Sequence, residues 1–215
     1  MFVYLIITTS VLILDYANGH GNLMNPPSRN SLWRFDKQAP INYDDNGLNC
    51  GGLDVQHNHN KGKCGLCGDS FSLPTPRPNE DGGKFGTGTI AAIYNPGDNI
   101  TTMVRITANH KGYFKFSLCN LDEAEVESEE CFKPLKTSTG EDVYQLKQFL
   151  PGIFKPQIQL PNDVLCEHCV FRWTWTSGNN WGTCSDGTQA VGCGPQETFV
   201  NCADIAIFPK LFDQN

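Results

Sequence analysis

The chain has 215 residues, enough for one ordinary domain. Hydrophobic residues make up 39%, so a sizeable core can form, while 21 glycines and 13 prolines point to turns rather than long helices. A formal charge of −7 removes the basic field that nucleic acid needs, and no run of Lys or Arg marks a membrane surface, so neither partner is expected.

Phe2 to Leu14 is an apolar run without charge. It is too short to cross a hydrocarbon layer of about 30 Å. Small residues at Ala17 and Gly19 then give a small-x-small cleavage pattern. Residues 1–19 are therefore read as a signal peptide, although residues 1–4 lack the usual basic residue. Removal after Gly19 would leave one secreted domain, 20–215, starting at His20. A monomer is expected.

Residues 20–88 read as loop, with Pro26-Pro27, Asp44-Asp45-Asn46-Gly47, Gly51-Gly52 and Asp81-Gly82-Gly83 as turn signals. So long a loop in a compact domain usually carries function. From Thr89 the pattern changes to strands. Thr89–Tyr94 is rich in β-formers. Asn99–Ala108 places Ile100, Thr102, Val104 and Ile106 on one face. Gly112–Cys119 alternates Phe114, Phe116 and Leu118 with polar neighbours. Val170–Thr176 does the same with Phe171, Trp173 and Trp175, and Thr198–Phe208 closes the chain. The acidic stretch Leu121–Lys133 is read as a solvated loop. Short strands between turn clusters predict an all-β fold, an antiparallel sandwich.

All ten cysteines follow the leader. An even count in an exported chain predicts a disulfide framework, three of whose cysteines tie down the long loop. The Cys64-Gly65-Leu66-Cys67 and Cys166-Glu167-His168-Cys169 pairs leave a zinc ribbon as an alternative. Asn99-Ile100-Thr101 is a glycosylation acceptor pattern.

A histidine that begins a chain can chelate through its α-amine and imidazole together, because an α-amine of pKa about 8 gives up its proton to a metal near neutral pH. A second imidazole would complete a three-nitrogen site, which favours Cu(II). The residues alone do not choose that second histidine. His110 follows a strong strand, His57 and His59 lie in a polar loop, and His168 lies between two cysteines.

The segments His20-Gly21-Asn22-Leu23-Met24-Asn25-Pro26-Pro27-Ser28-Arg29, Trp33-Arg34-Phe35, Asn42-Tyr43-Asp44-Asp45-Asn46 and Leu48-Asn49-Cys50-Gly51-Gly52 resemble lytic polysaccharide monooxygenases, most closely auxiliary activity family fifteen of invertebrates. So does the tail from Gly192 to Ile205. The resemblance spans nearly all of residues 20–208. It implies a fibronectin- or immunoglobulin-like sandwich and a copper brace formed by His20 and His110. It further implies that Ala108 crowds one axial side of the copper. Phe199 would lie on the other side, where many relatives carry a tyrosine, so axial oxygen ligation is lost. Glu197, sharing a strand face with Phe199, is the polar residue placed to meet bound oxygen or peroxide, in preference to Gln196. The implied reaction is oxidative cleavage of insoluble chitin or cellulose, with O2 or H2O2 as co-substrate and an external electron donor as reductant. Trp33, Tyr43 and the Asp44–Leu48 loop are candidate substrate contacts, because aromatic rings pack on sugar faces. No acidic pair suggests hydrolysis instead, Asp44-Asp45 being read as surface. Two further readings stand beside the enzyme: a non-catalytic polysaccharide-binding module and a disulfide-held matrix protein.

Overall fold

The computed structural model describes residues 19–124 and 126–209. The leader predicted over residues 1–19 therefore lies outside the described residues except for Gly19. Among the described residues thirteen strands follow in chain order. They are β1 His20–Asn25, β2 Ala92–Tyr94, β3 Asn99–Thr101, β4 Met103–Ala108, β5 Tyr113–Asn120, β6 Lys133–Leu135 and β7 Tyr144–Gln145, then β8 Gly152–Phe154, β9 Gln157–Gln159, β10 Cys166–Thr176, β11 Trp181–Thr183, β12 Gln189–Val191 and β13 Thr198–Ile207. Helical structure among the described residues is confined to a 3-10 turn at Leu32–Arg34 and to a short helical turn that starts at Leu53 and is π-helical over Val55–His59.

Two sheets form the sandwich. The larger runs β2-β13-β10-β5-β6, with β7 also paired to β5, and the smaller runs β1-β4-β8. Pairing is antiparallel throughout except that β2 lies parallel to β13, a departure from the purely antiparallel expectation. The alternation read from the sequence explains the layers. Phe114, Phe171, Trp173 and Trp175 are fully buried and face Leu23, Val104, Ile106 and Phe154 from the smaller sheet. The rings lock edge to face, as Phe114 does with Trp173 at 5.3 Å and with Phe154 at 6.0 Å. The predicted strand Asn99–Ala108 splits at Thr102, yet Ile100, Thr102, Val104 and Ile106 are all buried, so the face was right and only the ladder is interrupted. Thr102 turns both its N–H and its hydroxyl to the Pro156 carbonyl.

The strand β13 is buried on both faces. One face meets the sandwich core through Phe199, Ala203, Ile205 and Ile207. The other is covered by the long loop: Arg29 N donates to Cys202 O, Val200 N donates to Leu48 O, and Cys67 is joined to Cys202. That disulfide closes a span of 135 residues, and in the chain-entropy picture such a closure stabilises by about 5 kcal/mol. The other bridges are Cys50–Cys64, Cys119–Cys131, Cys166–Cys169 and Cys184–Cys193. No cysteine among the described residues is free, which removes the zinc-ribbon alternative.

Two sequence expectations fail in the loop layer. Asp45 is buried, not at the surface; it accepts from Asn22 Nδ2 and from the Arg34 guanidinium, with Arg105 3.7 Å away. Glu127, in the stretch expected to be solvated, turns its side chain inward to Arg29 at 2.9 Å. Arg29 also grips Asp204 through Nε (2.9 Å) and Nη2 (2.6 Å), and His168 Nε2 meets the same carboxylate at 2.8 Å. A charge can be buried here because each has a partner.

Candidate metal centre

The site forms where β1 begins and β13 begins. His20 is the first residue of β1 and its backbone pairs with Ala108, the last residue of β4. His110 follows in the turn that links β4 to β5. Lys111 and Gly112 both take left-handed conformations there, with φ of +57° and +82°. A Cβ at Gly112 would lie 1.9 Å from the Thr176 carbonyl oxygen, so only glycine fits. The turn is fastened by Gly178 N donating to His110 O (2.8 Å) and by Trp175 Nε1 donating to Lys111 O (2.7 Å). Trp175 also touches both rings of the cluster, 6.4 Å from the His110 ring and stacked on Phe199 at 4.8 Å.

Glu197 completes the cluster. It is 6% exposed and immediately precedes β13. Asn49 Nδ2 donates to Oε1 at 3.0 Å, and Gly19 N donates to Oε2 at 3.2 Å. His110 Nδ1 lies 3.4 Å from Oε2, close enough for attraction but not aligned as a hydrogen bond. That buried nitrogen thus has no hydrogen-bond partner. Gly19 is wedged against it: a Cβ there would be 3.0 Å from His110 Nδ1 and 3.0 Å from the Phe199 ring edge. The residue just before His20 therefore fills a space bounded by an imidazole nitrogen, a carboxylate and an aromatic edge. If the chain began at His20, its α-amine would border that same space. Nitrogen donors of this kind suit Cu(II), so the residues present fit a copper ion.

A family model described as "Lytic polysaccharide mono-oxygenase, cellulose-degrading" matches residues 20–205. The chain belongs to the lytic polysaccharide monooxygenases. It is similar, at 45% identity and a TM-score of 0.84, to the family fifteen monooxygenase of Thermobia domestica solved in its Cu(I) state, over 88% of this chain and 99% of that one. Weaker likenesses, to a chitin-binding domain from Burkholderia pseudomallei (13% identity, TM-score 0.48) and a family ten monooxygenase from Streptomyces lividans (14%, 0.46), cover 88% and 87% of this chain and 100% and 99% of theirs. No curated protein sequence matches. The protein is accordingly a copper-dependent, polysaccharide-cleaving monooxygenase with a β-sandwich fold. Its action on a polysaccharide draws on a reductant.

In this monooxygenase the structure brings Ala108, His110, Glu197 and Phe199 around the start of β1. The other histidines are engaged elsewhere. His57 Nε2 meets the Gln196 carbonyl at 3.0 Å, His59 faces Asp54 on the surface, and His168 serves Asp204. Gln196 is spent on the β11–β12 hairpin: it accepts from Asn180 N and donates to Cys193 O, which leaves Glu197 as the carboxylate turned toward His110. Tyr43 is 82% exposed and meets Trp33 edge to face at 5.5 Å. Trp33 is half-buried, with the Arg34 guanidinium 4.4 Å over its ring. Sequence reasoning missed Asn49 and the part played by Trp175. Trp175 belongs to the core as its alternation predicts, and nothing in that alternation shows that its edge reaches the turn carrying His110.

Proposed function

We propose that the mature enzyme begins at His20, is secreted, and holds one copper ion through the His20 amine, the His20 imidazole and His110. Copper held there would accept an electron from an external donor and supply the activation of O2 or H2O2. The observation that carries this reading is the wedge of Gly19 against His110 Nδ1, Glu197 and Phe199. It means that removal of the leader would expose the amine at the place where a buried imidazole nitrogen has no hydrogen-bond partner. Toward a copper ion held there, Ala108, opposite His20 in register, would present only its methyl group, and Phe199, whose ring edge bounds the space filled by Gly19, would offer no oxygen ligand.

Glu197 is the group that meets the oxygen co-substrate. Asn49 fixes one of its oxygens, and the other, relieved of Gly19 N, is left to accept a hydrogen bond or hold a proton beside the reacting atoms. Tyr43 and Trp33 offer ring surface to an insoluble chitin or cellulose chain, without a cleft that such a chain would have to enter. The described residues contain no helix long and apolar enough to cross a membrane; the enzyme acts as a monomer in this reading. Asn99, exposed on β3, is the glycosylation acceptor.

The test is mass spectrometry of products from chitin and from cellulose, with copper and ascorbate present. Aldonic or C4-oxidised oligomers are expected from at least one polymer. Native hydrolytic oligomers alone, or no release from either, would return the chain to a binding module. A chain with one residue added before His20 should lose most of its copper affinity in calorimetry.

A further inference from the structure

The segment ahead of β8 is fastened to the turn that carries His110. Leu146 N donates to Gly112 O at 2.9 Å. Asn109 Nδ2 donates to two carbonyls of that segment, Gln148 O at 3.1 Å and Leu150 O at 3.0 Å. Between the two anchored carbonyls stands Phe149, 64% exposed, followed by Leu150 at 72%. The Lys111 ammonium sits 3.8 Å from the Phe149 ring centroid. Single exposed apolar residues on a loose tip need no explanation. These two differ, because both residues that flank His110 hold them: Asn109 clamps the backbone, and Lys111 covers one face of the ring.

We infer that Phe149 is a substrate-contact residue of the monooxygenase, a ledge beside the metal turn on which the face of a pyranose ring packs. The inference rests on the polysaccharide reading above. Axial C–H groups of a β-linked sugar carry slight positive charge and are drawn to the negative face of an aromatic ring. Lys111 takes one face by a cation–π contact that biases the orientation of the ring and leaves its opposite face for the sugar. A ring held in this way loses little rotamer freedom when a sugar lands on it. Because Asn109, His110 and Lys111 are consecutive, a sugar on Phe149 is indexed to the proposed copper site by one hydrogen-bonded turn. Phe149 would then help decide which bond along the chain faces the copper.

The experiment is a binding isotherm on chitin and on microcrystalline cellulose, using the chain that starts at His20, loaded with Cu(II) and kept without reductant so that no turnover occurs. F149A should bind its preferred polymer about 3- to 10-fold more weakly, the effect of one ring contact. F149W should bind as wild type or better, and F149L should fall between. Copper affinity by calorimetry and the melting temperature should match wild type in all three, which separates a lost contact from a damaged fold. Equal binding by F149A and wild type would overturn the inference while leaving the proposed function intact. Failure of the wild type itself to bind either polymer would remove both, and the product assay would then be blank as well.

Discussion

Two buried carboxylates mark the two ends of the same stretch of chain, and they are treated in opposite ways. Asp204, on β13, receives two hydrogen bonds from Arg29 and one from His168. Glu197, seven residues earlier, receives one from Asn49 and one from Gly19, a residue the proposed processing removes, and it faces an imidazole nitrogen that it does not bond. The odd separation sends them to opposite sides of the strand, Asp204 toward the loop layer and Glu197 toward His110 and the start of β1. Burial alone does not distinguish a structural carboxylate from a reactive one. The number of donors already committed does, since a saturated group has nothing left to give a substrate.

The comparison can be broken most forcefully at Asp204. D204N removes the charge that Arg29 was buried to meet, and loss of one partner of a buried pair costs about 3–5 kcal/mol. Denaturant unfolding should show this, with copper affinity of the remaining folded protein unchanged. Burial opposes ionisation of Asp204, but Arg29 and His168 outweigh it and hold the carboxyl below its usual range. A depressed folded value contributes stability above the unfolded pKa of about 4 that is lost as pH falls through the folded value. Acid unfolding of the wild type should therefore begin below about pH 4, and D204N should lack that limb. Glu127 does not share this behaviour. Burial pushes it up, and Arg29 offsets the shift only in part.

Glu197→Gln sharpens the other half. Stability should change by less than about 1 kcal/mol, because Asn49 can still donate to the amide oxygen, while oxidised product formation should fall about 10- to 100-fold. A large stability loss with intact activity would reverse the assignment of the two carboxylates. A smaller effect is expected at His168. Its bond to Asp204 raises it above the ordinary imidazole range. That stabilisation is complete below the unfolded value of about 6.5 and is lost as pH rises through the raised folded value. H168Q should thus cost more at pH 6 than at pH 9, by no more than about 1 kcal/mol for a partly exposed pair, measured by melting at the two pH values. The smallest expected effect is at Tyr43. Its ring is mostly in water, so Y43A should weaken polysaccharide binding about two- to threefold and leave stability alone.

The layers of the fold were readable because period-two alternation is a local property. Ile100 to Ile106 and Phe171 to Trp175 declare their buried face without reference to the rest of the chain. The loop layer was not, since its order comes from long-range partners. Asp45 looks like a turn residue until Arg34 and Arg105 are known to converge on it, and Glu127 looks solvated until Arg29 is placed beneath it. The site was legible only in part. His20 stands out by its place after a leader pattern, but His110 was chosen among the histidines by resemblance. Asn49 carries no signal beyond its place in the Leu48–Gly52 segment, and its partner lies 148 residues away.

The Lys111-Gly112 pair bears on anyone who would transplant the proposed copper site into another sandwich. Copying two histidines at the right strand ends would not suffice. The recipient hairpin must tolerate two successive left-handed residues, and its neighbouring strand must come so near that position 112 accepts hydrogen and nothing larger. The portable unit is thus a turn together with the strand it leans on, and a scaffold with a wider gap there would hold the donors in the wrong attitude.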